Sequence, residues 1–257
     1  MRLFSNRYGD SGVDMIIIHG LFGMSDNWNT LGKKFREDFK VHLLDLRNHG
    51  KSPHSDNFNY DVMCADLLEY MMEHNIQRPI IIGHSLGGKV AMKFAFTYPG
   101  RIEKLIVVDI SPRRYNTDFV QNILQKLYKL PLDNFKKRGE IDVFLSSFYQ
   151  DKGMRSFLLK NLYRKKNNEF AWRFNIEVLL DKVSNIQEAG FVQGVCDIPT
   201  YFIKGGKSNY ITNEDKLIID KYFSDSSILI IDDAGHWLHA DQPEEFYKKV
   251  IEIIKQE

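Results

Sequence analysis

Six short apolar runs punctuate this chain, and each stops at a cluster of polar or glycine residues. Met15-Ile16-Ile17-Ile18 ends at His19-Gly20, Val41-His42-Leu43-Leu44 at Asp45, and Ile80-Ile81-Ile82 at Gly83-His84-Ser85. Leu105-Ile106-Val107-Val108 ends at Asp109, Thr200-Tyr201-Phe202-Ile203 at Gly205-Gly206, and Ile228-Leu229-Ile230-Ile231 at Asp232-Asp233. A strand with one wet face alternates apolar and polar residues. These runs do not, which predicts strands covered on both faces. Between them lie stretches with apolar residues three and four apart: 28–39, 62–74, 89–98, 214–222 and 243–255. The alternation predicts an α/β fold with a mostly parallel central sheet flanked by helices. In open sheets of this kind ligands bind beyond the carboxyl ends of the strands, where this chain collects its polar residues.

One of those strand ends carries chemistry. Gly83-His84-Ser85-Leu86-Gly87 sits between an apolar run and a helical stretch. A serine with glycine two residues away on each side, in that setting, is a nucleophile elbow. Side chains at Gly83 and Gly87 would collide with neighbouring backbone in so tight a turn. The turn holds the Ser85 hydroxyl clear of the sheet at a helix N-terminus, where free N–H groups favour developing negative charge.

From 113 to 195 the rhythm breaks. No strand is evident there, only helical patterns such as 119–130 and 170–180. The pattern divides the chain into a core, 1–112 and 196–257, and a helical lid, 113–195, inserted between two strands. The lid holds fifteen Lys and Arg against nine Asp and Glu, a charge of +6, and the remainder carries −5. A positive lid over the sheet's carboxyl edge would favour anionic acyl donors by steering; the alternative is that Lys136, Lys137, Arg138, Arg164, Lys165 and Lys166 form solvated faces of lid helices that point away from the pocket.

Bulk properties exclude several classes. The chain has 257 residues and a net charge of +1, so no global field points to nucleic acid or an anionic membrane. Cys64 and Cys196 are too few for a disulfide framework, and no His/Cys spacing suggests a metal. No apolar run has the length of a membrane span or signal peptide, which makes the cytoplasm the default location. Nothing in the sequence fixes an oligomeric state, and no cofactor is implied.

Acyl transfer by a serine needs a base, a group that orients the base, and donors for the oxyanion. His236, in Ala234-Gly235-His236-Trp237 after the last apolar run, is the expected base, with His239 as competitor. His84 is expected to point away from the nucleophile and act structurally. The orienting acid is less obvious. The loop 204–210 after the penultimate run, where most proteins of this fold carry Asp, has no carboxylate. Asp109 ends the run beside the elbow strand, 24 residues after Ser85, and is the first choice; Asp232 and Asp233 are the alternatives. The oxyanion donors are expected to be the N–H of Leu86 and that of Leu21, with Phe22 as fallback. Phe22, Trp172, Phe174 and Trp237 are candidate pocket residues; the alternative for Trp172 and Phe174 is that they anchor lid elements to each other. In the polar loop 45–52, Asp45 and Arg47 are expected to tie backbone, and Gly50 to supply a positive φ.

These residues resemble the α/β-hydrolase superfamily over nearly the whole chain, and within it the YbfF-type bacterial acyl esterases. The resemblance rests on His19-Gly20-Leu21-Phe22-Gly23, Asp26-Asn27-Trp28, Asp45 to Ser52, Gly83 to Gly88, Asp109-Ile110-Ser111-Pro112, Trp172-Arg173-Phe174-Asn175 and Gly235 to Ala240. It implies a small-molecule carboxylic ester substrate, or an acyl-CoA thioester, and no cofactor. It also implies a serine, here Ser208, at the usual acid position, which supports Asp109. Two other readings stay open. A lyase or carbon–carbon hydrolase on the same triad would use an arginine clamp from Arg113, Arg114 or Arg173. A binding protein on this scaffold would carry a vestigial triad.

Overall fold

The computed structural model describes residues 1–186 and 194–255. The strands in chain order are β1 (Ser5–Tyr8), β2 (Val13–Ile18), β3 (Phe39–Leu44), β4 (Ile80–His84) and β5 (Lys104–Val108). They continue with β6 (Leu162–Arg164), β7 (Phe170–Trp172), β8 (Thr200–Gly205) and β9 (Ser226–Ile231). The helices are α1 (Asn29–Phe35), α2 (Tyr60–Glu73), α3 (Leu86–Thr97), α4 (Asp118–Tyr128) and α5 (Arg138–Ser146). After them come α6 (Lys152–Leu159), α7 (Ile176–Lys182), α8 (Asp215–Tyr222), α9 (Leu238–Asp241) and α10 (Pro243–Lys255). Seven strands form one sheet in the order β1-β3-β2-β4-β5-β8-β9. Only β1 runs antiparallel to its neighbour.

Successive strand residues face opposite sides of the sheet, so each run feeds two cores. Ile16, Ile18, Ile81, Leu105 and Val107 pack with α2 and α3 through Met63, Leu67, Val90 and Phe94. Met15, Ile17, Ile80, Ile82, Ile106 and Val108 pack with α1 and α10 through Leu31, Phe35, Phe246 and Val250. The continuous apolar character of the central strands follows from this double cover. β9 differs from expectation. It is an edge strand, and its Ile230 is 49% exposed.

All six apolar runs are strands of the sheet. The seventh strand, β1, was not expected, because Ser5-Asn6-Arg7-Tyr8 has no apolar run. It needs none, since it is an edge strand defined by its pairing to β3. The helix expected over 28–39 ends at Phe35, and Phe39 pairs with Val13 as the start of β3.

Between β5 and β8 the chain leaves the sheet. Helices α4 to α7 lie there, as the lid pattern predicts, but so does an antiparallel pair, β6 and β7. The all-helical expectation for 113–195 is therefore corrected. Each strand has three residues, too few to show a period, and the turn between them passes through Asn168 at φ 67°. The expected helix 170–180 splits for the same reason. Its first residues are β7, and α7 starts after Asn175, whose side chain accepts the Val178 N–H. Positions 187–193 of the lid lie outside the described residues.

Candidate active site

The turn from β4 into α3 places Ser85 at φ 50°, ψ −115°, a conformation that costs a non-glycine residue roughly 1–3 kcal/mol. Its surroundings leave no alternative. A Cβ on Gly83 would lie 2.4 Å from the carbonyl oxygen of Gly87, and one on Gly87 would lie 2.4 Å from that of Ile18. The Ser85 N–H donates to the carbonyl of Val108 at 3.0 Å, which ties the turn to the end of β5. Leu86 opens α3, so its N–H belongs to the helix turn that has no internal acceptor.

His236 follows β9 in a loop, and its Nδ1 donates to Asp109 Oδ2 at 2.7 Å. Asp109 is fully buried at the end of β5, with φ 49°. Its Oδ1 accepts the Gly205 N–H at 3.0 Å, and its Oδ2 also accepts the Ser208 hydroxyl. The carboxylate thus has three donors: a backbone N–H, a hydroxyl and the His236 ring. With Nδ1 engaged by Asp109, Nε2 is the ring nitrogen of His236 left to meet a hydroxyl. Asp232 and Asp233 are exposed, and Asp233 pairs with exposed Lys207 at 3.0 Å. The structure brings neither to His236.

Other rings hold the histidine in place. Tyr210 stacks on it with ring centres 3.8 Å apart and planes 15° from parallel. His84 is buried, and its Nε2–H donates to the His236 carbonyl at 2.8 Å. Burial, then His236 and His239, push the His84 pKa well below its usual value, so it acts as a neutral donor. His239 stacks on Trp28, 4.0 Å between centres, and burial lowers its pKa to about 3.

Ser85 and His236 line one cavity of about 490 Å³, together with Leu21, Phe22, Leu86, Tyr210 and Trp237. Lid residues Phe119, Val120, Ile123, Met154, Phe157 and Leu158 close over it. Asn161 of the lid donates to the Phe22 carbonyl at 2.7 Å and so ties the lid to the loop after β2. Trp172 and Phe174 do not line the cavity, contrary to one expectation. They stack on each other, 5.2 Å between centres, and Phe174 packs behind Phe22 at 5.3 Å. Of the three candidate clamp arginines only Arg113 lines the cavity. Lys136, Lys137, Arg138, Arg164, Lys165 and Lys166 are exposed and line none of it.

The loop after β3 is structural. Asp45 accepts the N–H groups of Ser25 and Lys51 at 2.6 and 2.7 Å, and Gly50 has φ 58°. Arg47 binds Asp66 of α2 through two nitrogens, at 2.6 and 2.7 Å. It therefore ties the loop to a helix as well as to the Asn57 carbonyl. Sequence reasoning missed Tyr210 as a partner of His236 and Lys89 as a cavity residue. Lys89 could have been found by register, since it lies one helical turn beyond Ser85.

The matching family model is the α/β-hydrolase fold, over residues 15–243. The chain belongs to the α/β-hydrolase family. An esterase from a marine microorganism superposes with a TM-score of 0.95 at 38% identity, covering 98% of this chain and 99% of that one. The sn-1-specific diacylglycerol lipase ABHD11 of Danio rerio is 36% identical over 254 residues, 96% of this chain and 80% of its own. Esterase YbfF of Escherichia coli is 30% identical over 240 residues, 93% of this chain and 91% of its own. Among the described residues, no helix is long and apolar enough to cross a membrane. Nor is any group of three or more His, Cys, Asp or Glu among them placed to hold a metal ion.

Proposed function

We propose that this α/β-hydrolase cleaves small carboxylic esters, or the corresponding thioesters, through an acyl-enzyme on Ser85. His236 Nε2 takes the hydroxyl proton as Ser85 Oγ attacks the acyl carbon. Asp109 holds the Nδ1–H and stabilises the imidazolium. The N–H groups of Leu86 and Leu21, or Phe22, receive the oxyanion. The imidazolium returns its proton to the departing alcohol or thiol. A water then enters by the same route in reverse and releases the acid. The observation that carries the reading is the 2.7 Å contact of His236 with a buried carboxylate, in the cavity that also exposes an elbow serine. The names of the relatives, esterase and lipase, point the same way. The arginine clamp that a carbon–carbon hydrolase would use has only Arg113 to form it.

A fluorophosphonate should label Ser85 stoichiometrically, and Ser85→Ala should fold, resist labelling and lose on the order of 10⁶ in kcat toward 4-nitrophenyl butyrate. Turnover by Ser85→Ala at the wild-type rate would remove the nucleophile and the reading with it.

A further inference from the structure

We propose that Asn161, on the lid, is a positioning residue for the oxyanion hole: it clamps the turn after β2 in the strained form that serves the acyl oxygen. This role rests on the esterase reading above, whose second oxyanion donor comes from that turn.

Gly20, Leu21, Phe22 and Gly23 form a β-turn, closed by the Gly23 N–H, which donates to the Gly20 carbonyl at 2.9 Å. Phe22 is its third residue and has φ 61°, whereas Leu21 has no positive φ. A positive φ at the third position alone marks a type II turn, and that position ordinarily takes glycine or asparagine. A phenylalanine there is strained, and such strain persists only where the surroundings over-determine it. A type I turn has the same closing bond and no positive φ. Passing to it would turn over the peptide between Leu21 and Phe22, the two residues that carry the candidate oxyanion N–H groups.

Different parts of the molecule hold the two ends of this turn. At the Gly20 end the hold is in the core. Buried His19 accepts the Leu46 N–H at Nε2, 3.0 Å away, which leaves the hydrogen on Nδ1; Nδ1 donates to the Gly20 carbonyl at 2.7 Å. Burial lowers the His19 pKa to about 4, so the ring stays neutral. At the Phe22 end the hold comes from the lid. The Asn161 amide donates to the Phe22 carbonyl at 2.7 Å, across 139 residues of chain, and Asn161 is buried. The carbonyls of Leu158 and Phe157, in α6, lie 3.3 and 3.5 Å from the same nitrogen, so three acceptors fix which way the amide faces. The Phe22 ring meets Phe174, also on the lid, at 5.3 Å. The Arg173 N–H donates to the Asn161 carbonyl at 2.8 Å, which joins the two lid contacts into one unit. Asn161 itself does not line the cavity, so it reaches the reaction only through the turn.

Asn161→Ala is tested with 4-nitrophenyl butyrate and with 1,1,1-trifluoro-2-heptanone, a ketone to which Ser85 would add to give a tetrahedral oxyanion. kcat should fall by roughly ten- to hundredfold with KM within about twofold, because only the oxyanion loses its donors. Affinity for the trifluoro ketone should fall in parallel. Asn161→Ser keeps a hydroxyl for the α6 carbonyls but is one bond too short for Phe22. It should behave alike, and it replaces Asn161→Ala if that protein does not fold. The decisive comparison adds Phe22→Gly, since glycine takes a positive φ without strain. Phe22→Asn stands in if the glycine variant does not fold, because asparagine also visits the left-handed region. In that background the kcat loss caused by the Asn161 substitution should shrink to about threefold or less, as expected when two residues act through one conformation. Three results would overturn the role: kcat within about twofold of wild type after loss of the Asn161 amide, an effect carried by KM with kcat intact, or an equal kcat loss in both Phe22 backgrounds. If the wild-type protein neither cleaves the ester nor binds the trifluoro ketone, the esterase reading itself fails.

Discussion

The turn that carries Ser85 and the corner that carries Asp109 meet at one histidine, yet main chain holds the first and side chains hold the second. At the elbow, Gly83 packs on the backbone of Gly87 and Gly87 on that of Ile18. Both positions are closed to any side chain, and the serine is fixed by the path of the chain. At the acid corner, a carboxylate is held by a backbone N–H, a hydroxyl and the imidazole. The Ser208 hydroxyl, after β8, reaches the same Asp109 oxygen that His236 uses. What matters at this corner is where an oxygen lies, and two neighbouring strand ends come close enough to supply it. One corner is therefore written in glycines at fixed spacing; the other is an exchangeable placement.

The comparison can be broken from either side. Gly83→Ala forces a Cβ against backbone, and overpacking of this kind costs about 1–3 kcal/mol. Thermal unfolding should show the loss, and kcat/KM should fall by about 10²-fold as Ser85 shifts from line with its base. A Gly83→Ala protein with native stability and rate would show that the elbow is not sterically closed. Ser208→Ala removes one charge-assisted hydrogen bond from Asp109 and leaves the other two donors. A roughly tenfold drop in kcat with little change in KM is expected. If Ser208→Ala were as damaging as loss of the nucleophile, the hydroxyl would be more than a support. Asp232→Asn and Asp233→Asn test the competing acids. Exposed charges of this kind contribute about 0–1 kcal/mol, so ester turnover should stay within about twofold.

The same contrast explains what could be read in the sequence. The elbow, the six central and flanking strands and His236 were legible because each imposes a residue pattern: glycines, continuous apolar runs, a histidine after the last run. From the residues themselves Asp109 was reached by elimination, from the missing carboxylate in 204–210 and the adjacency of two strands, and the family resemblance supported it through Ser208. β1 was not legible, since an edge strand of Ser5-Asn6-Arg7-Tyr8 owes its form to β3. The β6–β7 pair was hidden because three residues carry no period. Trp172 and Phe174 were read as possible cavity residues, but aromatic identity says nothing about depth, and Phe22 stands between them and the site. Lys89 was passed over as part of a helix, although its offset from Ser85 places it in the cavity wall.

The placement of the acid at the end of β5 is the account's central claim, and Asp109→Asn tests it most directly. Steady-state hydrolysis of 4-nitrophenyl butyrate by this variant, with folding checked by thermal melting, should show kcat reduced by about 10⁴-fold, as for other serine triads whose acid is made an amide. A folded Asp109→Asn protein that turns over the ester within tenfold of the wild-type rate would contradict the claim.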